Sequence, residues 1–457
     1  MIKPYYVKVM KRYVPFVALL LLLTACAPSL RFHHQVDEMV AAGDYQNAYL
    51  LIEENKKKYT KRNAVLFYAD KGTLAHYAGM YRESIESLLL AENRVEELFT
   101  TSVSKQVATF IINDNMAPYK GEDFEGVMLN LFLALNYLQA GEIDEALVEA
   151  RKVDSNLNLI NSYYPADKKN IYKEDAFVRF LMGILYEVSG TQEDLNDAFI
   201  SYKKAEEIYV KDYWANYKTP LPSSLKENLL TTAYFMGSAE VNTYKKKYSC
   251  SKELTLSDKQ QKGELYFIHY NGKSPEKIED AIVAPMPDGY IMKIAFPRYR
   301  LRPYNIRSSL IKTTNLDTGN TTTAKTELGE NIAAIAVKNL ENRKVRIAVK
   351  AIARATLKYL AAKEAKKAAQ KEYGDLAGNF AGLLGNIAAI VTERADLRCW
   401  KTLPSEIRIG RSIVDPGNYK LNVCLLNKSG ELIRQLPLDE ISIKSGEKKF
   451  IFFRTID

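Results

Sequence analysis

The sequence predicts an α+β multidomain chain, in which an α-solenoid of paired helices precedes a β-rich domain with an inserted helical hairpin. The length of 457 residues exceeds the roughly 250–300 residues at which a single core stops growing. Small and aromatic residues recur at fixed intervals in the first half, whereas the second half contains short runs of branched and aromatic residues. A composition of 47% hydrophobic and 26% charged residues excludes disordered and collagen-like chains.

Residues 1–25 have the pattern of a secretory signal peptide. Lys11 and Arg12 precede a short uncharged run that ends in Leu-Thr-Ala-Cys26. The run is shorter than the ~20 residues that a membrane-spanning helix needs. Its ending resembles the bacterial lipobox, in which the cysteine is acylated and the signal is removed. Cleavage by ordinary signal peptidase is the alternative, and either Met1 or Met10 could be the start.

We therefore expect a lipoprotein that is anchored through palmitate-type chains on Cys26, with residues 26–30 as a tether. Two or three acyl chains anchor stably, whereas one binds only marginally. Ala27 rather than Asp follows the cysteine, which by resemblance to Gram-negative lipoproteins implies the outer membrane, facing the periplasm. The formal charge of +9 falls to 9 − 4 = +5 without the four basic residues of the signal. Such a mild excess does not indicate nucleic-acid binding.

Residues 31–245 are predicted to form a helical domain because four segments match one repeat pattern. Small residues at the recurring positions let paired helices approach closely, and an aromatic residue fills the gap. The matches are those of the tetratricopeptide repeat (TPR), with residues 98–122 as a spacer or degenerate repeat. The segments are Gly43-x-Tyr45-x-x-Ala48, Gly79-x-Tyr81-x-x-Ser84, Gly141-x-Ile143-x-x-Ala146 and Gly190 with Leu195-x-x-Ala198 after a three-residue insertion.

Residues 262–457 are predicted to form the β-rich domain. Residues 264–270 and 290–296 have the composition of strands, and 407–456 indicates four or five more. The helical insert spans 331–393. Its first helix is expected to be interrupted at 339–344, and a second helix is expected at 375–393.

Two features of the insert are candidates for function. The first is a row of basic residues at four-residue spacing, which could meet anionic lipid, an acidic partner or peptidoglycan carboxylates. The alternative is a solvated face, with Val349, Ile352 and Tyr359 pointing inward. The residues of this basic row are Arg346, Lys350, Arg354 and Lys358.

The second feature is the segment 374–391, which repeats Gly-x-x-x-Gly at Gly374, Gly378 and Gly382. This spacing allows close helix contact. The uncharged part is about 24 Å long as a helix, which is short of a ~30 Å hydrocarbon core. It is therefore expected to pack on the basic helix or to join subunits of a homo-oligomer.

The sequence shows no catalytic motif, so an enzyme is not expected. A hydrolase built from Glu393, Asp396 and Glu406 is the weakest alternative. The four histidines lack metal-ligand spacing, and neither a metal nor another cofactor is expected. Cys399 and Cys424 could form a disulfide or remain buried thiols.

Several segments resemble an uncharacterised family of bacterial TPR-containing outer-membrane lipoproteins. Its members are often encoded beside LpoB-type penicillin-binding-protein activator lipoproteins. The resemblance implies a setting in the envelope and a protein partner, for which an LpoB-type lipoprotein is a candidate, but no catalytic residues. The chain departs from the family pattern at Cys399 and in its basic helix. The segments are 196–205, 263–272, 294–299 and Thr392-Glu-Arg-Ala-Asp-Leu-Arg-Cys-Trp-Lys-Thr-Leu-Pro404.

The leading hypothesis is a non-enzymatic scaffold, whose repeats bind a partner protein on their concave face during envelope assembly or maintenance. The alternative is direct binding of peptidoglycan or another anionic glycan through tyrosines and the basic row.

Overall fold

The computed structural model of the protein describes residues 29–112, 114–162, 171–237, 239–248, 254 and 256–456. The predicted signal peptide, Cys26 and Cys250 lie outside the described residues. Helices occupy most of the chain up to residue 261. They are α1 (Ser29–Ala41), α2 (Tyr45–Glu54), α3 (Lys56–Tyr59), α4 (Ala64–Tyr77), α5 (Tyr81–Ile112), α6 (Asp123–Gln139), α7 (Ile143–Ser162), α8 (Ala176–Ser189), α9 (Gln192–Ile208), α10 (Trp214–Tyr217), α11 (Ser223–Phe235), α12 (Val241–Lys247) and α13 (Leu256–Gln261).

The predicted repeats form helix pairs, in which α1 packs on α2, α4 on α5, α6 on α7 and α8 on α9. The four turn glycines of the sequence pattern all have positive φ, between 74° and 81°, a conformation that glycine adopts without steric cost. Within two pairs a glycine of the first helix lies directly under a large side chain of the second. Gly72 contacts Leu88, and Gly183 contacts the ring of Tyr202. The predicted repeat register is therefore the register of the structure.

Strands dominate the remainder of the chain and form two larger sheets and one hairpin. The first sheet has the order β11-β1-β7-β6, and the second has the order β10-β8-β4-β5 with β9 paired to β8. The β2–β3 hairpin stands apart from both. The strands are β1 (Gly263–Asn271), β2 (Glu276–Pro285), β3 (Ile291–Arg300), β4 (Ser308–Asn315), β5 (Thr321–Lys325), β6 (Glu327–Glu330), β7 (Glu406–Val414), β8 (Gly417–Leu426), β9 (Leu432–Pro437), β10 (Ile441–Ile443) and β11 (Lys448–Thr455).

The first sheet lies between the helices and the second sheet. Strand β1 is buried on both faces, and its side chains alternate between them, as a strand requires. Tyr266 and Tyr270 join the core of the helical region, whereas Leu265 and Phe267 pack in the core of the second sheet. The molecule is thus built of three layers.

The first helices of the pairs, α4, α6 and α8, together with α11, are the inner helices of the molecule. Each is packed between outer helices on one side and the first sheet on the other. Phe132 of α6 stacks on Tyr270 of β1, with ring centroids 5.5 Å apart, and Phe177 of α8 lies against Gly329 of β6. One hydrophobic core therefore takes side chains from both predicted ranges, 31–245 and 262–457.

This packing corrects the expectation that the inner face of the repeats binds a partner. That face is covered by the chain's own sheet, and Trp400 of the segment before β7 is buried there. Its indole nitrogen donates to Thr73 of α4 at 3.0 Å, so even the polar atom is satisfied inside the protein. Among the helical residues that the structure describes, the outer surfaces are the ones that a partner can reach.

The insert departs from prediction in one respect and confirms another. Helix α14 (Ile332–Tyr373) runs without the expected interruption at 339–344, since Leu340 and Asn339 lie on its buried side. Helix α15 (Asp375–Thr392) follows as predicted. Strand β2 was not predicted.

The helix contact at Gly183 can be tested by adding one methyl group. A Cβ at this position would overlap the Tyr202 ring, so Gly183→Ala should lower the free energy of unfolding by about 1–3 kcal/mol. In Gly126→Ala on α6 the new Cβ meets nothing within 4 Å, and this control should be neutral or up to ~1 kcal/mol more stable. Denaturant unfolding measures both, and equal stabilities would contradict the repeat register.

Candidate functional site

The most prominent surface feature is an arm formed by β2, β3, α14 and α15. The helices contact each other and β3. At the end of the β-hairpin, Asn386 accepts a hydrogen bond from the backbone N–H of Ile291 at 3.0 Å and donates to its carbonyl at 2.7 Å. The Tyr359 hydroxyl donates to Asp288 at 2.8 Å. These contacts place the β-hairpin against the middle of the helical hairpin, which continues beyond it.

The predicted glycine face of α15 makes the contact with α14. Gly378 lies against Gln370, Gly382 against the stem of Lys366, and Gly385 against Ala362. These close approaches use the small-residue spacing within one chain, so the same face is not available for the homo-oligomer contact predicted for 374–391. By its apolar composition α15 is a candidate membrane-spanning helix, and Gly378 is its one buried residue.

The basic row does not form a solvated face, and its centre is buried. Arg354 is 1% exposed. Its guanidinium donates to Glu393 at 2.9 Å and 3.0 Å and to Asp114 at 3.0 Å. Lys358 reaches Glu393 at 2.7 Å, and Lys350 reaches Asp114 at 2.5 Å. Lys350 and Arg354 therefore tie α14 to Asp114 of the helical region, and Arg354 and Lys358 tie it to Glu393 at the end of α15.

The ion pairs and the burial of these groups shift their pKa values. Burial opposes the charge of Arg354, but the hydrogen bonds to Glu393 and the charge of Asp114 outweigh it, so its pKa is raised. Burial would likewise raise the pKa of Asp114, but Lys350 and Arg354 hold it below its usual value. Burial lowers the pKa of Lys358 despite its bond to Glu393.

The apolar residues of α14 have the opposite placement to the one expected. Val349 and Ile352 are exposed at 61% and 48%, and Tyr359 meets the β-hairpin instead of a core. A buried ion-pair cluster on one side of the helix turns these side chains toward solvent. Of the basic row, Arg346 and Lys350 are exposed, and Lys350 is paired with Asp114.

The carboxylates of the hydrolase alternative do not form a pair. Glu393 is held by Arg354 and Lys358, Asp396 bonds Arg398 at 2.6 Å, and Glu406 bonds Arg408 at 3.0 Å. Each carboxylate therefore has a structural role, and the three do not form the paired site that the hydrolase alternative requires.

The other candidate chemistry sites are structural as well. Within the part of the chain that the structure describes, no group of three His, Cys, Asp or Glu residues could hold a metal. Cys399 and Cys424 are free, buried thiols, and burial raises the pKa of the Cys399 thiol.

An open depression of about 500 Å³ was not predicted. It lies at the ends of β4, β5, β7 and β8, and its wall includes Arg307, Lys325, Arg408 and Lys428. The residues come from four separate segments of the chain, so no local sequence pattern predicts the depression. Arg408 is paired with Glu406, and with the other three cations around the same open space the depression can attract an anion.

Comparison with known proteins gives only a distant similarity. No family model matches the chain, and no curated protein matches it. Two crystal structures of nearly identical TPR-like repeats, described as those of a putative kinesin light chain of Podosopora anserina, are similar to it, and one of them is a single-residue variant of the other. For each, the identity is 15%, the TM-score is 0.30, and the match covers 48% of this chain and 96% of the other. So loose a superposition supports no argument about function.

Removing the shared acid of the buried cluster tests its structural role. Glu393→Gln leaves Lys358 without its counter-charge and Arg354 with Asp114 alone, and breaking a buried pair typically costs about 3–5 kcal/mol. The free energy of unfolding should fall by about 3 kcal/mol. Glu372→Gln, an exposed acid at the far end of α14, is the control and should change it by less than ~0.5 kcal/mol. If both variants unfold like the parent, the basic row is a surface feature after all.

Proposed function

We propose that the protein is a lipid-anchored scaffold of the bacterial outer membrane, which faces the periplasm and binds partner proteins in envelope assembly or maintenance. The observation that supports this most is the set of exposed aliphatic side chains on the outer helices, such as Val148 and Ile200. The described residues form a body whose candidate chemical groups are used in ion pairs, while the outer helix surfaces stay open. The lipobox at Cys26 and the resemblance to TPR-containing lipoproteins supply the setting, with an LpoB-type lipoprotein as one candidate partner.

An aliphatic row on the second helices is the proposed partner surface. Leu50, Val148 and Ile200 each lie five residues after the residue that begins the second-helix match, Tyr45, Ile143 or Leu195 in turn. They are exposed at 48%, 49% and 53%. Equivalent positions of stacked repeats lie side by side. The second pair has the exposed Glu86 at this position, so Val148 and Ile200 are the neighbouring members of the row, and they form an outer apolar surface that a protein partner can bury.

The lipid anchor is tested at its cysteine. Cys26→Ala removes the thiol that receives the diacylglycerol, so the variant should lose acyl labelling and either keep its signal peptide or leave the membrane fraction. Radiolabelled palmitate and fractionation of cells report both properties. Unchanged labelling and membrane recovery would refute the anchor.

The partner surface is tested by placing charge in the aliphatic row. Val148→Asp with Ile200→Asp should reduce partner recovery at least tenfold, because burying each aliphatic side chain contributes about 1.5–3 kcal/mol. Asn196→Asp, one turn before Ile200 on the same exposed face, adds the same charge and should keep the partner. Affinity capture of the tagged lipoprotein from envelopes, with quantification by mass spectrometry, measures how much partner is recovered with the parent, the double variant and the Asn196→Asp control. Equal recovery from all of them would exclude this surface.

The glycan alternative now depends on the basic depression rather than on the basic row or the tyrosines. Many tyrosines are buried, among them Tyr202, Tyr209 and Tyr266. The cations of the depression could instead bind peptidoglycan carboxylates. Retention of the protein by purified sacculi, lost in Arg307→Gln with Lys428→Gln, would favour this alternative over the scaffold.

A further inference from the structure

The outer face of α15 carries a line of large apolar side chains, Leu376, Phe380, Leu383 and Ile387. They are exposed at 88%, 54%, 57% and 48%. Separations of four, three and four residues place them in one line along the helix, on the side opposite to the glycines that contact α14. We propose that this face lies on the surface of a phospholipid bilayer, with α15 parallel to the membrane plane.

A surface position fits the helix better than a spanning one. Eighteen residues make a helix of about 27 Å, short of a ~30 Å hydrocarbon core. Its beginning at Asp375 is joined directly to the charged end of α14, which carries Lys371 and Glu372. Charges on the tip would have to cross the hydrocarbon, whereas an interfacial helix keeps them in water and buries only its apolar line.

Lysines on α14 suit the headgroup layer. Lys363, Lys367 and Lys371 are exposed and follow one another at four-residue spacing, so they lie in one row beside α15. Lys367 bonds Glu364 at 2.9 Å, but both residues are exposed, and such a pair contributes little in water. Long lysine side chains can extend to lipid phosphates while the apolar line of α15 enters the acyl boundary.

The position of the arm explains why a bilayer is the occupant, and this step depends on the proposed acylation of Cys26. Only two residues lie between Cys26 and Ser29, where α1 begins, and the chain between these two positions can reach at most roughly 10 Å. Asp37 of α1 bonds Arg302 at 3.0 Å and Lys273 at 3.4 Å. These two residues flank the β2–β3 hairpin, so the arm leaves the body beside the helix that would be tethered to the membrane.

The proposal is tested with a tryptophan placed in the apolar line. The full chain carrying Phe380→Trp, purified from cells supplied with labelled palmitate, is added to vesicles of phosphatidylethanolamine and phosphatidylglycerol with brominated acyl chains. The fluorescence of the new tryptophan is obtained by subtracting the spectrum of the parent protein. On the vesicles it should shift to shorter wavelength and be quenched by the bromine atoms. Ala361→Trp is the matched control, since Ala361 is exposed on the far face of α14, and its emission should be unchanged.

Two outcomes would overturn the proposal. In the first, Phe380→Trp is quenched no more than Ala361→Trp, so the line does not touch lipid. In the second, Leu383→Cys forms a disulfide between two chains on the vesicles and Phe380→Trp is shielded without lipid, so a second copy covers the face.

The acyl anchor is followed separately in the same samples. If acyl labelling is present and quenching absent, the arm proposal fails while the anchor stands. If labelling is absent but quenching persists, the arm binds the bilayer by itself and the anchor fails.

Discussion

The architecture depends on the burial of the inner helices against the first sheet. These helices are apolar on nearly every side, as in α8, where ten residues from Ala176 to Tyr186 are buried. Outer helices cover only one side of such a helix. The sheet covers the other, so neither region of the chain presents a complete core alone, and the free energy of burying apolar surface favours their union. The outer surfaces of the described helices are therefore the ones that remain open to other molecules.

Polar groups inside this junction fix how the layers meet. Burial lowers the pKa of His76 to about 4, so its ring is neutral at pH 7. Its Nδ1–H can donate to Asn136 at 2.6 Å while Nε2 accepts from the Tyr270 hydroxyl at 2.8 Å. One ring thus joins α4, α6 and β1, and any shift between the layers would leave buried polar atoms without partners.

A charged cluster also fixes how the layers meet, at the other end of the junction. There Glu187 of α8 and Glu264 of β1 share Lys259 and Lys448 at distances from 2.5 to 3.2 Å. Since these charges are matched, the cluster specifies the docking of the layers.

The sequence predicted the parts whose signals are local. Glycine turns, small residues at helix contacts, the strands β1 and β3, and the two helices of the insert follow from composition and period. Strand β2 was missed because four of the first five residues, Glu276-Lys-Ile-Glu-Asp, are charged, and Ile282-Val283 alone is too short a branched run to indicate a strand. The covered inner face had a readable signal: segments such as Phe177–Tyr186 are apolar around the helix, which requires burial on every side.

The basic row shows that the spacing of charged residues along a helix does not decide whether their face points to solvent or to the protein interior. Four cations at helical spacing define a face, but only the location of their counter-charges determines whether that face is turned outward or inward. The acids are Asp114, about 240 residues away along the chain, and Glu393, beyond the next helix, so neither is visible in the local pattern. Once these pairs orient α14, Val349 and Ile352 must turn to solvent, and α15, which packs on α14 through its glycines, must expose its apolar line. The apolar surface of the arm is therefore a consequence of the buried ion pairs.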